Sequence, residues 1–453
     1  MRQYSFDPGV CEAFSGDPPV GIPRGMPFLL DDGVPVEPVN RWLRSLPTTG
    51  VPAPKSWSAY ASDLLAWARF LRARSLDVLD DPAALVDAVA AYHADRRMGE
   101  PSRRLAETSW SRAISAISRF YEWAWAEGMI ERVPFSYRLQ VINGGRRGRQ
   151  LVKRNLARER QPQSQVSIRW LEQDYLELFL GVGLAGMLPE GGDDPTFRGQ
   201  QPARNAAIGH LAAASGLRAQ EFSHLLVWEL PLPAADAAAP VVAMVVPGVI
   251  AKGKKMRTTW VSPAALSRAH GYIRLERQLA VAGSEWHPDR PLVVTDPDAL
   301  GGRVNGRRVR WATLDLDARR RLVAPGGGSA LFAVTSGGAP VTDWEYTFDA
   351  ASQRCQRFAA RFPHVTPHVL RHSFAVHTLR WLVSTHMADV AKLLKASGAD
   401  PAWVLALRCA DPLLVLRDLL GHASVSTTED YLRIIDTSRL FTDAELDIDE
   451  NAS

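Results

Sequence analysis

The chain has 453 residues, 46% hydrophobic and 23% charged, with a net charge of +4 and a pI near 9.0. That length predicts two or three domains with sizeable cores, the composition is globular rather than disordered, and the slight basic excess identifies no polyanionic partner until the charges are located. Three widely spaced cysteines, Cys11, Cys355 and Cys409, argue against a disulfide framework or a Cys-based zinc site and point to reduced thiols in a cytoplasm.

Residues 1–8 lack the apolar core of a signal peptide. Residues 1–35 are rich in Pro, Gly and Asp without a sustained period, which predicts an irregular lead-in. Helical patterning starts near Val36. Ser56 precedes a run in which Trp57, Tyr60, Leu64, Trp67 and Leu71 share one face. A further helix is expected over residues 82–97, and another over 107–127 with Trp110, Ile114, Ile117 and Tyr121 in phase and Gly128 as its stop. Residues 36–135 therefore read as a helical bundle.

Residues 136–165 differ from their surroundings. Arg138, Arg146, Arg147, Arg149, Lys153, Arg154, Arg158 and Arg160 face a single acid, Glu159, and Gly144-Gly145 lies among them. Such a run repels itself and stays extended unless an anion neutralises it, so it reads either as a solvated linker or as a contact to a phosphate backbone.

A second, larger domain is expected over residues 166–437, followed by an acidic tail, 438–453. An Ala-rich helix over 201–215 stops at Gly216, and Leu217-Arg218-Ala219-Gln220-Glu221 opens another. Residues 241–250 and 257–261 read as a strand and its return. Prolines within 231–250 exclude a membrane helix there. Only seven of the 53 basic residues are lysines, yet Lys252, Lys254 and Lys255 sit together in the turn. A lysine releases a proton more readily than an arginine, so the cluster reads either as a proton donor or as ordinary hairpin charge. Residues 248–254 fit the start of a P-loop, but Lys255 stands where Ser or Thr must hold magnesium and a strand follows, which excludes nucleotide hydrolysis. A helix is expected to about Ala282, residues 283–342 show no clear pattern, and residues 343–362 read as helix.

Thr366 suits an N-cap and Pro367 the first position of a helix in which His368 and Arg371 share a face, with Leu370, Phe374 and Trp381 on the buried side. The N–H groups and positive dipole end of such a start attract an anion and disfavour protonation of a nearby histidine. His368 and His372 have zinc-helix spacing, but Val369 replaces the required glutamate, so no metal site is expected. Near the end, Leu419-Leu420-Gly421-His422 closes one helix at its glycine. Ser424 or Ser426 can cap the next, on which Val425, Thr428, Leu432 and Ile435 form a buried face with Tyr431 on its border. Alone, Tyr431 reads either as a core tyrosine or as a residue whose hydroxyl faces a cleft.

Gly216-Leu217-Arg218-x-x-Glu221, the hairpin Lys252-Gly253-x-Lys255, His368-x-x-Arg371-His372-Ser373-Phe374-Ala375 and Leu420-Gly421-His422-x-Ser424-x-x-Thr427-Thr428-x-x-Tyr431 follow in that order. Together they resemble the tyrosine recombinases, the phage-integrase and Xer-type family, most strongly over residues 205–435 and more loosely over 36–135. The resemblance implies a mainly α fold with a small antiparallel β-sheet in the catalytic domain and an N-terminal helical core-binding (SAM-like) domain over 36–135. It implies a catalytic set of Arg218, Lys252, His368, Arg371, His422 and Tyr431, supported by Glu221. Tyr431 would attack a scissile phosphate held by Arg218, Arg371 and His422, with His368 taking the phenol proton and Lys252 protonating the departing 5′ oxygen. The product is a 3′-phosphotyrosine whose bond energy is kept for rejoining, so neither metal nor ATP nor any other cofactor is needed.

The resemblance also implies that the two domains clamp duplex DNA, that Arg146, Arg147, Arg149, Lys153, Arg154, Lys254 and Lys255 touch it, and that a homo-tetramer assembles on two sites. Accessory DNA-bending proteins are further expected partners, and a membrane is not; the expected location is the nucleoid-associated cytoplasm of a bacterium. Residues 441–446 suit either a tail docked on a neighbouring subunit or a disordered acidic end. Two rival functions remain, a type IB topoisomerase-like relaxing enzyme and a non-catalytic DNA-binding regulator. The small N-terminal helical domain and Leu-Gly-His motif argue against the first, and six intact catalytic positions against the second.

Overall fold

The computed structural model describes residues 1–7, 21–51, 54–143, 149–158, 168–233, 241–395, 411–422, 425–429 and 431–432. The chain divides into two compact units, residues 1–165 and 166–453.

In the first unit, α1 (Glu37–Ser45), α2 (Pro54–Arg72), α3 (Pro82–His93) and α4 (Glu107–Ala126) form a bundle. Local chemistry sets the start of α3, where Asp81 accepts from the N–H groups of Ala83 and Ala84 and Pro82 occupies the first turn. The in-phase aromatics make the core: Trp57, Leu64, Trp67 and Leu71 of α2 pack with Trp110, Ile114, Ile117 and Tyr121 of α4. Trp67 Nε1 donates to the Tyr121 hydroxyl at 2.9 Å, which satisfies both buried polar atoms.

Two expectations for this unit need correction. The described part of the lead-in is not wholly irregular, because β1 (Arg2–Ser5), β2 (Pro27–Asp31) and β3 (Val34–Pro35) form an antiparallel sheet in that order. Asp32 and Gly33, both at positive φ (49° and 87°), make the two-residue turn whose twist suits a hairpin. The Asn40 side chain pairs with both backbone groups of Leu29, at 2.7 and 2.9 Å, and so ties the sheet to α1.

Nor is the basic stretch a free extended linker. β4 (Tyr137–Asn143) and β5 (Arg149–Asn155) pair antiparallel along their whole lengths, so backbone hydrogen bonds hold together a segment whose charges alone would spread it. The Lys153 ammonium lies 3.7 Å from Glu122 and 3.8 Å over the Tyr137 ring, and Trp110 donates to the Ala157 carbonyl at 3.0 Å, which joins the ribbon to α4. Arg146, Arg147 and Arg160 fall outside the described residues.

The second unit begins with α5 (Gln173–Leu178). The long α6 (Pro202–Ser215) is followed at once by the short α7 (Ala219–Ser223), and a hairpin, β6 (Val242–Val246) with β7 (Arg257–Val261), comes next. α8 (Pro263–Tyr272) runs through a π-turn into α9 (Gln278–Val281).

Residues 283–342, left unassigned from sequence, hold a sheet. β8 (Leu292–Thr295), β9 (Gly301–Val304), β10 (Arg307–Arg310) and β11 (Leu322–Val323) lie in the order β10-β9-β8-β11, with β8 and β11 parallel. Asn305 and Gly306, at φ 47° and 83°, supply another primed turn. This sheet has its own apolar cluster around Trp311, Val294 and Leu331. α10 (Leu316–Arg320) is anchored by Arg319, whose guanidinium meets Glu229 at 2.7 Å in a buried pair.

α11 (Glu345–Phe358), the 29-residue α12 (Pro367–Lys395), α13 (Pro412–Leu420) and the four-residue α14 (Ser426–Glu429) complete the unit. The architecture is mainly α with small, mostly antiparallel sheets, the class expected, and it carries more β-structure than the sequence suggested. No helix among the described residues is long and apolar enough to cross a membrane.

Candidate active site

Four helix ends bring the site together. α6 stops at Gly216 (φ 62°), Arg218 then takes the N-cap position of α7, α12 starts after Thr366, and α13 stops at Gly421 (φ 65°). Gly421 is required twice over, since its left-handed backbone suits only glycine at low cost and an added Cβ would lie 2.8 Å from Arg257 Cδ.

Arg371 projects from the second turn of α12 and is 1% exposed. Its Nη1 donates to the Gly216 carbonyl and its Nη2 to the Leu420 carbonyl at 2.6 Å, so one guanidinium satisfies carbonyls at the ends of both α6 and α13. Burial, then the charge of Arg218, lowers its pKa to about 9, which leaves it cationic at neutral pH. Of its five N–H donors, three remain for another acceptor.

Arg218 pairs with Glu221 at 3.1 Å, and its own N–H donates to the same carboxylate at 2.8 Å. Glu221 is fully buried and also receives both Nη atoms of Arg257, at 2.7 and 2.6 Å. Burial alone would raise the Glu221 pKa; the hydrogen bonds and charge of Arg257, with those of Arg218, overcome it and hold the carboxylate ionised. Arg257 Nε reaches the Leu419 carbonyl at 2.9 Å, so the pair also braces the end of α13.

Tyr431 is 3% exposed, its ring packed among Phe374, Leu379, Leu416 and Leu420. Its hydroxyl lies 2.8 Å from Nδ1 of His372. His368, the residue expected to take the phenol proton, lies one turn earlier and stands edge-on to His372, with centroids 4.2 Å apart. On the other side the His422 ring lies parallel to Tyr431 at 6.3 Å, and its Nδ1 is 3.1 Å from the hydroxyl of buried Thr428.

Burial lowers the pKa of all three histidines, to about 4 for His372 and His422. The second cause is a cationic or imidazole neighbour, Arg371 for His368 and His422 and His368 for His372. All are therefore neutral at neutral pH and able to accept a hydrogen bond at one nitrogen.

Lys252 sits exposed on the turn between β6 and β7, and its charge is among those that lower His368, after Arg371 and Arg218. Lys254 and Lys255 are exposed on the same turn. Lys153 and Arg154 lie on β5 of the other unit, and Arg149 begins that strand.

The structure thus brings Arg218, Glu221, His368, Arg371, His422 and Tyr431 together, with Lys252 in electrostatic reach. The sequence gives no sign of Arg257, which heads the return strand, and marks Thr428 only as part of a buried face, not as the partner of His422. His372 was weighed only as a metal ligand, although its place four residues after His368 puts it on the same helix face. Three local expectations fail: Trp381 is 46% exposed, edge-on to Trp260 at 6.1 Å rather than buried; Leu432 is 38% exposed and lies past the end of α14 rather than on its buried face; and Ser426 is the first residue of α14 rather than its cap. Ser424 and Ile435 fall outside the described residues. Among the described residues no group of three or more His, Cys, Asp or Glu is placed to hold a metal ion.

Residues 39–128 match the family model of the phage integrase N-terminal SAM-like domain. The chain is 26% identical over 397 residues to the tyrosine recombinase XerC of Chromohalobacter salexigens, covering 87% of this chain and 90% of that protein. It is 31% identical over 210 residues to the XerC of Xylella fastidiosa, which spans 38% of this chain and 62% of that relative's length. Among solved structures, the XerH site-specific recombinase bound to its palindromic difH substrate aligns over 89% of this chain and 82% of its own, with a TM-score of 0.46 and 15% identity.

Proposed function

We propose that this chain, a site-specific DNA recombinase of the tyrosine-recombinase family, cuts and rejoins duplex DNA through a covalent link to Tyr431. The observation that carries this reading is a cluster that holds Arg218, Arg371, His368, His372 and His422 beside Tyr431, with His372 Nδ1 2.8 Å from its hydroxyl. A phenol with an ordinary pKa of about 10 attacks poorly at neutral pH unless its proton is taken and the charge on the attacked phosphate is offset.

Arg218 and Arg371 offer guanidinium donors to the non-bridging oxygens of a scissile phosphate, and His368 and His422 add hydrogen bonds to the same oxygens. The Tyr431 oxygen passes its proton to a histidine of the site and bonds to phosphorus as the bond from phosphorus to the 5′ oxygen breaks, and Lys252 supplies the proton that the departing oxygen needs. The reverse sequence, with a 5′ hydroxyl from a partner strand as nucleophile, rejoins the backbone and frees Tyr431. The charge total is conserved through both steps, and no external energy source enters.

The partners in this reading are two duplex recombination sites and a homo-tetramer that spans them, with residues 36–135 as a core-binding domain and the β4–β5 ribbon against the phosphate backbone. Two duplexes carrying a candidate site, sought as an imperfect inverted repeat in the DNA beside the gene, test it. Incubation with the protein, EDTA and no ATP is expected to give recombinant products. Relaxation of plasmids that lack the repeat, with no strand exchange between those that carry it, would instead mark a topoisomerase, and DNA binding without cleavage a regulator.

A further inference from the structure

We propose that His372, the residue after the phosphate-binding Arg371, is the group that takes the Tyr431 proton, and that a phosphodiester in the arginine pocket switches on this capacity. The inference rests on the functional reading above and deepens it.

Geometry supplies the first argument. A general base must stand within hydrogen-bond reach of the proton it removes, and His372 Nδ1 stands 2.8 Å from the Tyr431 hydroxyl before any DNA is present. His368 packs against the His372 ring rather than against the phenol, and the two are four residues apart on one face of α12. Both partners are also held. Tyr431 is locked into the cluster formed by α12 and α13, and His372 is fixed to the same helix that carries Arg371. Proton acceptor and phosphate clamp are therefore adjacent residues of a single rigid element.

Electrostatics supplies the second. His372 feels His368 and Arg371 from its own helix, His422 from beyond α13 and Tyr431 through the hydrogen bond; each of the first three works against an imidazolium. In the free protein burial, then His368 and Arg371, keep the ring neutral and make it a weak acceptor. A phosphodiester held by Arg218 and Arg371 brings one negative charge, offsets those cations and strengthens His372 as a base. Activation of the nucleophile then waits for its target, which protects the phenol from attack on other electrophiles. During cleavage the Tyr431 proton moves to His372 Nδ1 as the oxygen–phosphorus bond forms, and on rejoining the same proton returns to the phenolate.

The test uses full-length protein and a nicked duplex whose scissile position is a 5′-bridging phosphorothiolate. Its sulfur leaves without a proton, so only the nucleophile side is read. Wild-type single-turnover cleavage is expected to be flat between about pH 7 and 9, because the base is neutral throughout. His372→Asn keeps a hydrogen-bonding group near the phenol but cannot accept a proton. It is expected to cut about 100-fold more slowly at pH 7, with a rate that climbs close to tenfold per pH unit as the phenolate population grows towards its ordinary pKa near 10. His368→Asn is expected to be slower than wild type with a flat profile.

DNA binding and thermal melting check that each variant is folded, and His372→Gln replaces His372→Asn if the latter is not. A flat profile for a folded His372 variant, or a climbing profile for His368→Asn in its place, overturns the inference. Failure of the wild type to cut this duplex overturns the functional reading itself.

Discussion

Glu221 accepts two hydrogen bonds from Arg257, at 2.7 and 2.6 Å, while its other contacts go to Arg218, so one fully buried carboxylate joins the residue that opens α7 to the strand that leaves the lysine turn. Removing Arg257 leaves that carboxylate with half its partners. Arg257→Ala is expected to lower the unfolding free energy by on the order of 3 kcal/mol, measured by urea denaturation. An unchanged midpoint would show that the pair is dispensable to the fold.

The same carboxylate predicts a pH dependence. Its folded pKa is lowered below the ordinary value of 4.5, so its stabilising contribution is fully present above that value and is lost as the pH falls through the lowered one. Unfolding free energy is expected to drop on acidification below about pH 4.5 in the wild type. The drop should be shallower in Glu221→Gln, which starts less stable; equal slopes would assign the acid sensitivity elsewhere.

Much of this site was legible because its parts are local. Arg218 and Glu221 are three residues apart, His368 and Arg371 share a helix face, and Gly216 and Gly421 are helix stops with a steric reason to be glycine. What could not be read were pairings across the chain. Arg257 meets Glu221 from 36 positions away and Arg354 meets Asp194 from 160, and no periodicity encodes either. Two hairpins were readable but passed over: Asp32-Gly33 and Asn305-Gly306 are both primed-turn dipeptides, obscured by short strands and flanking prolines or arginines. Trp381 illustrates the opposite error, since helical phase alone put it inside while the helix face it occupies runs past the core.

Arg218 and Arg371 should separate when each becomes lysine. Arg371 donates to two carbonyls at helix ends, and an ammonium cannot span both and a phosphate as well. Arg371→Lys is expected to lose about 1–3 kcal/mol of stability as well as activity. Arg218 is more exposed and bonds no buried carbonyl among the described contacts, so Arg218→Lys should cut roughly 100-fold more slowly with a stability change under about 1 kcal/mol. Single-turnover cleavage and thermal melting on both variants check this, and matching stability losses would contradict it.

Lys252 is expected to matter only when the leaving oxygen needs a proton. Lys252→Ala should lower cleavage of an ordinary duplex by about 100-fold or more and recover near wild-type rates on the 5′-bridging phosphorothiolate. Absence of rescue on that substrate would remove Lys252 from the role of acid.

Salt dependence tests the β4–β5 ribbon. Lys153→Ala and Arg154→Ala should each weaken binding similarly for all DNA sequences and reduce the slope of log affinity against log salt by about 1. Unchanged slopes would show that the ribbon stands away from the phosphates.

The most direct test of the account is a covalent one. A nicked suicide duplex carrying the recombination site is incubated with the protein and the product denatured. The expected result is a protein–DNA adduct that maps to Tyr431, carries the 3′ phosphate and disappears in Tyr431→Phe. An adduct that survives that substitution, or one that holds the 5′ end, would contradict the claim that Tyr431 is the nucleophile.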